Sequence, residues 1–246
     1  MFDVLIPTSG KGLNSFIDSG IPLSLFKDYV QSFHKYISFV KFGWGLSVID
    51  PSLHEKILLL DEHNILFHFG GSLFEKAFIE NKLDEYNKFL LSHNASYVEI
   101  SDGTVNISRD DKSRLIEKFS KNFSVLSEVG YKDQIKSEHF SPARWIENIA
   151  MDFNSGASFV ITETRETGNS GMCRPNGDLR FGLIEEFKES SIDFRNVIFE
   201  APTTEIQVFF IQNFGVDVNL SNLPFASILN IVSLRSNLRS ETLLGV

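Results

Sequence analysis

The chain of 246 residues holds a single cysteine, Cys173. That excludes an internal disulfide framework and any zinc site built on several thiolates. No apolar run approaches the roughly 18 residues of a membrane span, and the first nine residues lack the basic segment and long apolar core of a secretion signal. Positive charge is in short supply: 23 Lys and Arg stand against 32 Asp and Glu, a formal net charge of −9. Nucleic acid and an anionic membrane surface are therefore excluded as main partners. Neither the G-x-G-x-x-G nor the Walker spacing occurs. Trp and Tyr are scarce, at two and five residues, whereas Phe supplies 24, so the core is expected to be packed largely with phenyl rings. The expectation is a soluble, cytoplasmic protein.

Short apolar runs recur at 15–18, 38–44, 65–71, 96–100, 123–129, 158–163, 196–200 and 216–220. They are rich in Val, Ile and Phe and too short for helices, so they read as strands buried on both faces. The stretches between them carry helix marks. Ser52-Leu53-His54-Glu55 has the pattern of a capping box. Ser108 precedes a segment with Asp110 and Asp111 in its first turn, and Ser141-Pro142 sets a cap and a first-turn proline before Trp145. A helix is expected from about Thr204 to Gly215. Eight strand–helix alternations predict a (β/α)8 TIM barrel with one domain over residues 1–246. Residues 1–14 would be an N-terminal extension and 240–246 a C-terminal tail. An open doubly wound sheet is the alternative, but its Gly-rich first turn should follow the first strand. Here Thr8-Ser9-Gly10-Lys11-Gly12 precedes it.

Such a barrel places its active site where the strands end. The predicted ends carry Asp18, Lys41, His68, Glu99, Glu128, Glu163 and Glu200. Carboxylates sharing one buried mouth repel one another and require a cation. Lys41, Lys132 and Arg165 supply part of that charge, and Mg2+ is the expected remainder. Glu128, Glu163, Glu200, Asp18 and Glu99 are the candidate metal ligands; Lys132, Lys41, Arg165 and Glu166 are the candidate catalytic residues. The same acids admit a second reading, as structural ion pairs bracing the barrel. Phosphate in such barrels is often held after strands seven and eight. Asn219, Ser221 and Asn222 stand there, ahead of a short apolar helix near 224–231. A final helix restarting near Ser233 would put Arg235 in its first turn and Arg239 one turn later, as anion ligands. His68 reads as a packed lining residue. Cys173 lies in a Gly/Asn-rich stretch, 167–178, that reads as a mobile loop over the site.

Lys41-Phe42-Gly43-Trp44-Gly45, Gly70-Gly71-Ser72-Leu73-Phe74-Glu75, Glu99-Ile100-Ser101-Asp102-Gly103-Thr104 and Ser127-Glu128-Val129-Gly130 follow one another in order. So do Glu163-Thr164-Arg165-Glu166-Thr167-Gly168, Phe199-Glu200-Ala201-Pro202, Asn219-Leu220-Ser221-Asn222 and Leu234-Arg235. Together they resemble the phosphosulfolactate synthase family over about 16–242. The resemblance implies a barrel that adds sulfite to phosphoenolpyruvate with Mg2+, in coenzyme M or sulfolactate formation, as a homo-oligomer, a trimer. The partners it implies are small molecules: a phosphorylated acid and a sulfite-like nucleophile. Three positions depart from the family pattern. Asp-Lys-Gly is Asp18-Ser19-Gly20 here, Gly-Lys-Lys is Gly130-Tyr131-Lys132, and Arg-Gly-Asp is Arg239-Ser240-Glu241. The loss of two lysines leaves open another nucleophile, another phosphorylated three-carbon acid, or a noncatalytic member resembling the plant heat-stress-associated protein. Lys11 is a conceivable replacement.

Overall fold

A computed structural model describes residues 12–245, and in it all eight apolar runs contain strands. These are β1 (Asn14–Asp18), β2 (Phe39–Phe42), β3 (Leu66–Phe69), β4 (Tyr97–Ile100), β5 (Ser124–Val129), β6 (Phe159–Thr162), β7 (Val197–Glu200) and β8 (Asn219–Pro224). Ten helices accompany them among the described residues: α1 (Leu23–Phe33), α2 (Leu53–Glu62), α3 (Gly71–Ile79), α4 (Leu83–Ser92), α5 (Arg109–Phe119), α6 (Gln134–His139), α7 (Pro142–Asn154), α8 (Phe181–Glu189), α9 (Thr204–Phe214) and α10 (Ile228–Arg235). Every strand pairing is parallel, in the order β3-β2-β1-β8-β7-β6-β5-β4. The sheet thus curls into a single-domain (β/α)8 TIM barrel whose β3–β4 seam carries no ladder among the described residues. Among the described residues no helix is long and apolar enough to cross a membrane. Lys11 and most of the expected N-terminal extension lie outside the described residues, as does Val246 of the tail.

Side chains alternate across each strand. One set meets the helices in a large phenyl-rich layer, with Phe16, Phe26, Phe69, Phe74, Phe119, Phe187, Phe199 and Phe210 fully buried. The other set fills the interior, where Leu126, Ile161 and Ile198 form a small apolar floor.

Three local expectations change. Ser52 precedes α2 but makes no side-chain cap, whereas Ser108 and Ser141 accept from the Asp111 and Arg144 N–H groups. β8 begins where it was expected to end, because its register pairs Ile198 with Asn219 and Glu200 with Ser221. The last helix does not restart near Ser233; α10 runs unbroken to Arg235. Helices run antiparallel to the strands, so Arg235 lies at the end of the barrel opposite the strand C-termini.

Candidate active site

The strand period of two builds the site. Glu128, Glu163 and Glu200 each stand two residues beyond the floor residues Leu126, Ile161 and Ile198, so all three point inward above that floor. Lys41 and Glu99 stand likewise beyond Phe39 and Tyr97. With Ile17, Trp44, Gly70, Gly71, Ser72, Lys132, Thr164, Arg165, Glu166, Thr167 and Asn222 they line a cavity of 280 Å3 at the strand ends.

One lysine bridges two of these acids, and only Glu99 is fully held by it. Lys41 Nζ lies 3.1 Å from Glu99 Oε1 and 3.2 Å from Glu200 Oε1. Glu99 also accepts the Gly71 N–H at 2.7 Å, and its other oxygen is 3.2 Å from His68 Nδ1. Burial alone would raise Glu99, but Lys41 and His68 outweigh it and hold the carboxyl well below its usual range. These bonds join β4 to β3 across the seam that lacks a ladder. Glu99 is thus a brace: Lys41 and the Gly71 N–H take one oxygen, and the other faces His68 Nδ1 without a hydrogen bond. Gly71 must be glycine for this approach, because a Cβ there would stand 2.4 Å from Ser101 Cβ.

Glu128, Glu163 and Glu200 differ. Each offers an oxygen within 4.8 Å of the others, all three are buried, and Glu128 Oε2 and Glu163 Oε2 have no hydrogen-bond partner. Burial, reinforced by Glu200 and Glu128, pushes Glu163 well above the carboxylate range. Burial also raises Glu200, to about 7, despite Lys41. The cation that faces Glu128 and Glu163 is Lys132, 3.6 Å from Glu128 Oε1 and 3.9 Å from Glu163 Oε2. Those carboxylates, Glu128 first, hold Lys132 well above the usual lysine range against the opposing effect of burial. Two buried orphan oxygens in a cluster of hard donors fit a divalent cation such as Mg2+.

The remaining predicted residues separate. Arg165 and Glu166 are exposed at the rim of the cavity, and Asn222 lines it with a buried Oδ1 that has no partner. Asp18 has the opposite parity to the lining residue Ile17. It points outward, 2.6 Å from Lys56 Nζ, and accepts the Gly20 and Ile21 N–H groups, so it is not at the mouth. Asn219 stands at the start of β8. Its amide donates to the Arg195 and Val197 carbonyls and accepts the Leu13 N–H; it is a staple and not a phosphate ligand. Ser221 is buried and off the cavity lining. Arg235 donates to Asn14 Oδ1 and to the Leu13, Val216 and Val218 carbonyls, closing the far end of the barrel. Arg239 pairs with Glu241 at 2.6 Å and with Asn230. Neither arginine reaches the cavity, so the expected phosphate site is not built from them.

Sequence reasoning missed several parts. Trp44 lines the cavity half-exposed, with a left-handed backbone at φ 53°, a strained conformation for a bulky residue. Glu75 and Ser101 lie behind Glu128: Ser101 Oγ is 2.6 Å from Glu128 Oε1 and 2.8 Å from Glu75 Oε1. Lys56 and Lys112 are buried lysines, each held by one acid close in sequence (Asp50, Asp102) and one far along the chain (Asp18, Asp152). The 167–178 stretch is tied down: Met172 N–H donates to the Glu163 carbonyl at 2.9 Å and Cys173 is 2 % exposed.

Comparison with known proteins shows the family and the fold. A sequence model of the family described as (2R)-phospho-3-sulfolactate synthase (ComA) matches residues 8–241. A phosphosulfolactate synthase of Bacillus subtilis (strain 168) is 44% identical over 231 residues, covering 94% of this chain and 92% of that protein. One from Methanocaldococcus jannaschii is 36% identical over 245 residues, covering 98% and 97%. Among solved structures, a 3-hexulose-6-phosphate synthase from Salmonella typhimurium superposes with a TM-score of 0.57 at 11% identity, covering 92% of this chain and 100% of that one. A thiamine phosphate pyrophosphorylase from Pyrococcus furiosus gives 0.53 at 11%, covering 95% and 96%. At that identity the likeness concerns the fold alone. Match length and identity place this chain in the phosphosulfolactate synthase family, enzymes of the carbon–sulfur lyase type.

Proposed function

We propose that the protein adds sulfite to phosphoenolpyruvate to give phosphosulfolactate, with Mg2+ held by Glu128, Glu163 and Glu200. The observation that carries this reading is the buried triad with two orphan oxygens beside Lys132. Bound there, the cation would stabilise the negative charge that the acceptor's carboxylate gains.

The chain's own residues supply the rest. As sulfur bonds to the methylene carbon, the double-bond pair moves to the adjacent carbon, which needs a proton. Lys132 is the one lysine of the lining that the protein does not lock: Lys41 is held between two carboxylates, whereas Lys132 stands beyond hydrogen-bond distance of its acids. Its raised proton affinity keeps it charged, and its position at the cavity wall makes it the proton donor to that carbon. Lys41 holds Glu99 and Glu200 fixed. The substrates bring phosphate, carboxylate and sulfite into one pocket. Arg165 at the rim, and the N-terminal end of α3 at Ser72, present positive charge to them.

The test is phosphorus NMR of the purified protein with phosphoenolpyruvate, sulfite and Mg2+. A new phosphate ester resonance is expected, lost in Lys132→Met. If the wild type gives no new resonance, the reading fails.

A further inference from the structure

We propose that Lys112, on α5 and outside the cavity, is a positioning residue for both Glu128 and Lys132. Lys112 is wholly buried and does not line the cavity. Its first arm reaches the backbone. On β5 the carbonyls of Val125 and Val129 face β6, where they accept from Ser158 and Glu163. The carbonyl of Glu128 therefore faces β4. The β4–β5 ladder stops at the pair Ile100–Ser127, so that carbonyl lies past the last residue of β4 and has no strand partner. Lys112 Nζ donates to it and takes the place of the missing strand.

The second arm reaches the loop that leaves β4. Lys112 Nζ is 2.6 Å from Asp102 Oδ1, and the next residue, Gly103, accepts the Lys132 N–H through its carbonyl at 3.0 Å. Gly103 is pressed against the site: a Cβ there would meet Glu128 Oε1 at 3.0 Å and Lys132 Cε at 3.6 Å. One ammonium thus fixes the peptide of Glu128 and, through Asp102 and Gly103, the backbone of Lys132. Its surroundings are balanced. Asp152 Oδ2 lies 3.5 Å away, accepts Ser127 Oγ at 2.6 Å, and shares its carboxylate with Arg109. Two cations face two carboxylates, so the cluster carries no surplus charge toward the cavity; it acts by placement. The separation of Lys132 from Glu128 and Glu163 depends on it.

The catalytic consequence rests on the proposed reaction, but the placement does not. Lys112→Met removes the ammonium at similar length, and Asp102→Ala cuts the second arm outright, while Asp102→Asn removes only its charge. Exchange of the Lys132 amide, followed by hydrogen–deuterium mass spectrometry or NMR, is expected to accelerate in Lys112→Met and Asp102→Ala while the β1 and β2 amides keep their rates. With phosphoenolpyruvate, sulfite and Mg2+, kcat is expected to fall about 10–100-fold, the cost of an ångström-scale misplacement, with KM within about twofold. Unchanged exchange at Lys132, or a uniform rise over the whole barrel with kcat intact, overturns the proposal. If Lys112→Met does not fold, Asp102→Ala alone decides. Should the wild type turn over nothing, the proposed reaction falls, and exchange at Lys132 still decides the role of Lys112.

Discussion

Glu163→Gln is the substitution whose outcome follows most directly from the charge distribution. Glu163 is 2 % exposed, its Oε2 has no hydrogen-bond partner, and two other buried carboxylates share its space. The amide keeps the shape, removes one repelling charge and gains two N–H donors that Glu128 and Glu200 can accept. The magnitude can be gauged from Glu200, which rises from 4.5 to about 7; at 1.36 kcal/mol per unit that is about 3 kcal/mol. Glu163 is also raised well above 4.5. Both folded values are raised, so the folded protein holds protons that the unfolded chain releases. Stability from Glu200 is therefore full below about pH 4.5 and is lost as the pH climbs through about 7, and the raised Glu163 contributes with the same sign. The variant escapes that loss. Without divalent cation at pH 8 it should be more stable than the wild type by about 1–3 kcal/mol, a Tm higher by about 3–8 °C. At pH 5 the protonated Glu163 carboxyl and the amide that replaces it are nearly equivalent, and the two Tm values should converge. Mg2+ should raise the wild-type Tm at pH 8 and leave the variant unmoved. Differential scanning fluorimetry at both pH values, with and without Mg2+, gives all four readings. A variant less stable than the wild type at pH 8, or an offset independent of pH, would show that the carboxylate is already satisfied and would refute the reasoning.

Two further outcomes concern the residues that the structure moves away from the cavity. Arg235→Lys replaces a fork bonded to Asn14 and three carbonyls by a single point charge; it should cost about 2–4 kcal/mol in urea unfolding without changing KM for the phosphorylated acid. A tenfold rise in KM at unaltered stability would return Arg235 to phosphate binding. Asp18→Asn leaves Lys56 with Asp50 as its remaining carboxylate partner and should lower stability by about 1–3 kcal/mol. Its Mg2+ affinity by calorimetry should match the wild type, and a loss of affinity would place Asp18 back among the ligands.

The barrel was legible because strands buried on both faces read as unbroken apolar runs, and eight of them alternate with amphipathic stretches. The triad was legible for a more specific reason. Leu126-Ser127-Glu128, Ile161-Thr162-Glu163 and Ile198-Phe199-Glu200 repeat one spacing, an inward apolar residue followed two positions later by an inward acid. Asp18 follows Phe16 and Ile17 just as Glu200 follows Ile198 and Phe199, so this spacing alone does not tell the inner parity from the outer. Lys112 and Lys56 were illegible because their burial depends in part on Asp152 and Asp18, far along the chain, and a Lys on a polar-looking helix reads as solvated. Arg235 was misplaced for a geometric reason. β8 begins three residues later than its apolar run, and that shift turns the residues after Asn219 into strand and carries the end of α10 to the opposite face.

What separates a site from a brace at this mouth is which carboxylates the protein has already neutralised. Lys56 takes Asp18 and Asp50, Lys41 takes Glu99 and one oxygen of Glu200, and Lys112 with Arg109 takes Asp102 and Asp152. Each of these lysines is buried and in contact with its acids, and a buried charge so paired has little to offer a ligand. Glu128 and Glu163 stand apart from that pattern, with only a partly exposed Lys132 at 3.6 and 3.9 Å. A chain that buries three lysines to satisfy six other acids could have packed a fourth here for bracing alone. Leaving two inward oxygens unmatched is costly, and the cation proposed above would remove that cost, as protonation of the raised Glu163 carboxyl does in part. The unmatched pair, and not the number of acids at the rim, is therefore what the proposed metal site rests on.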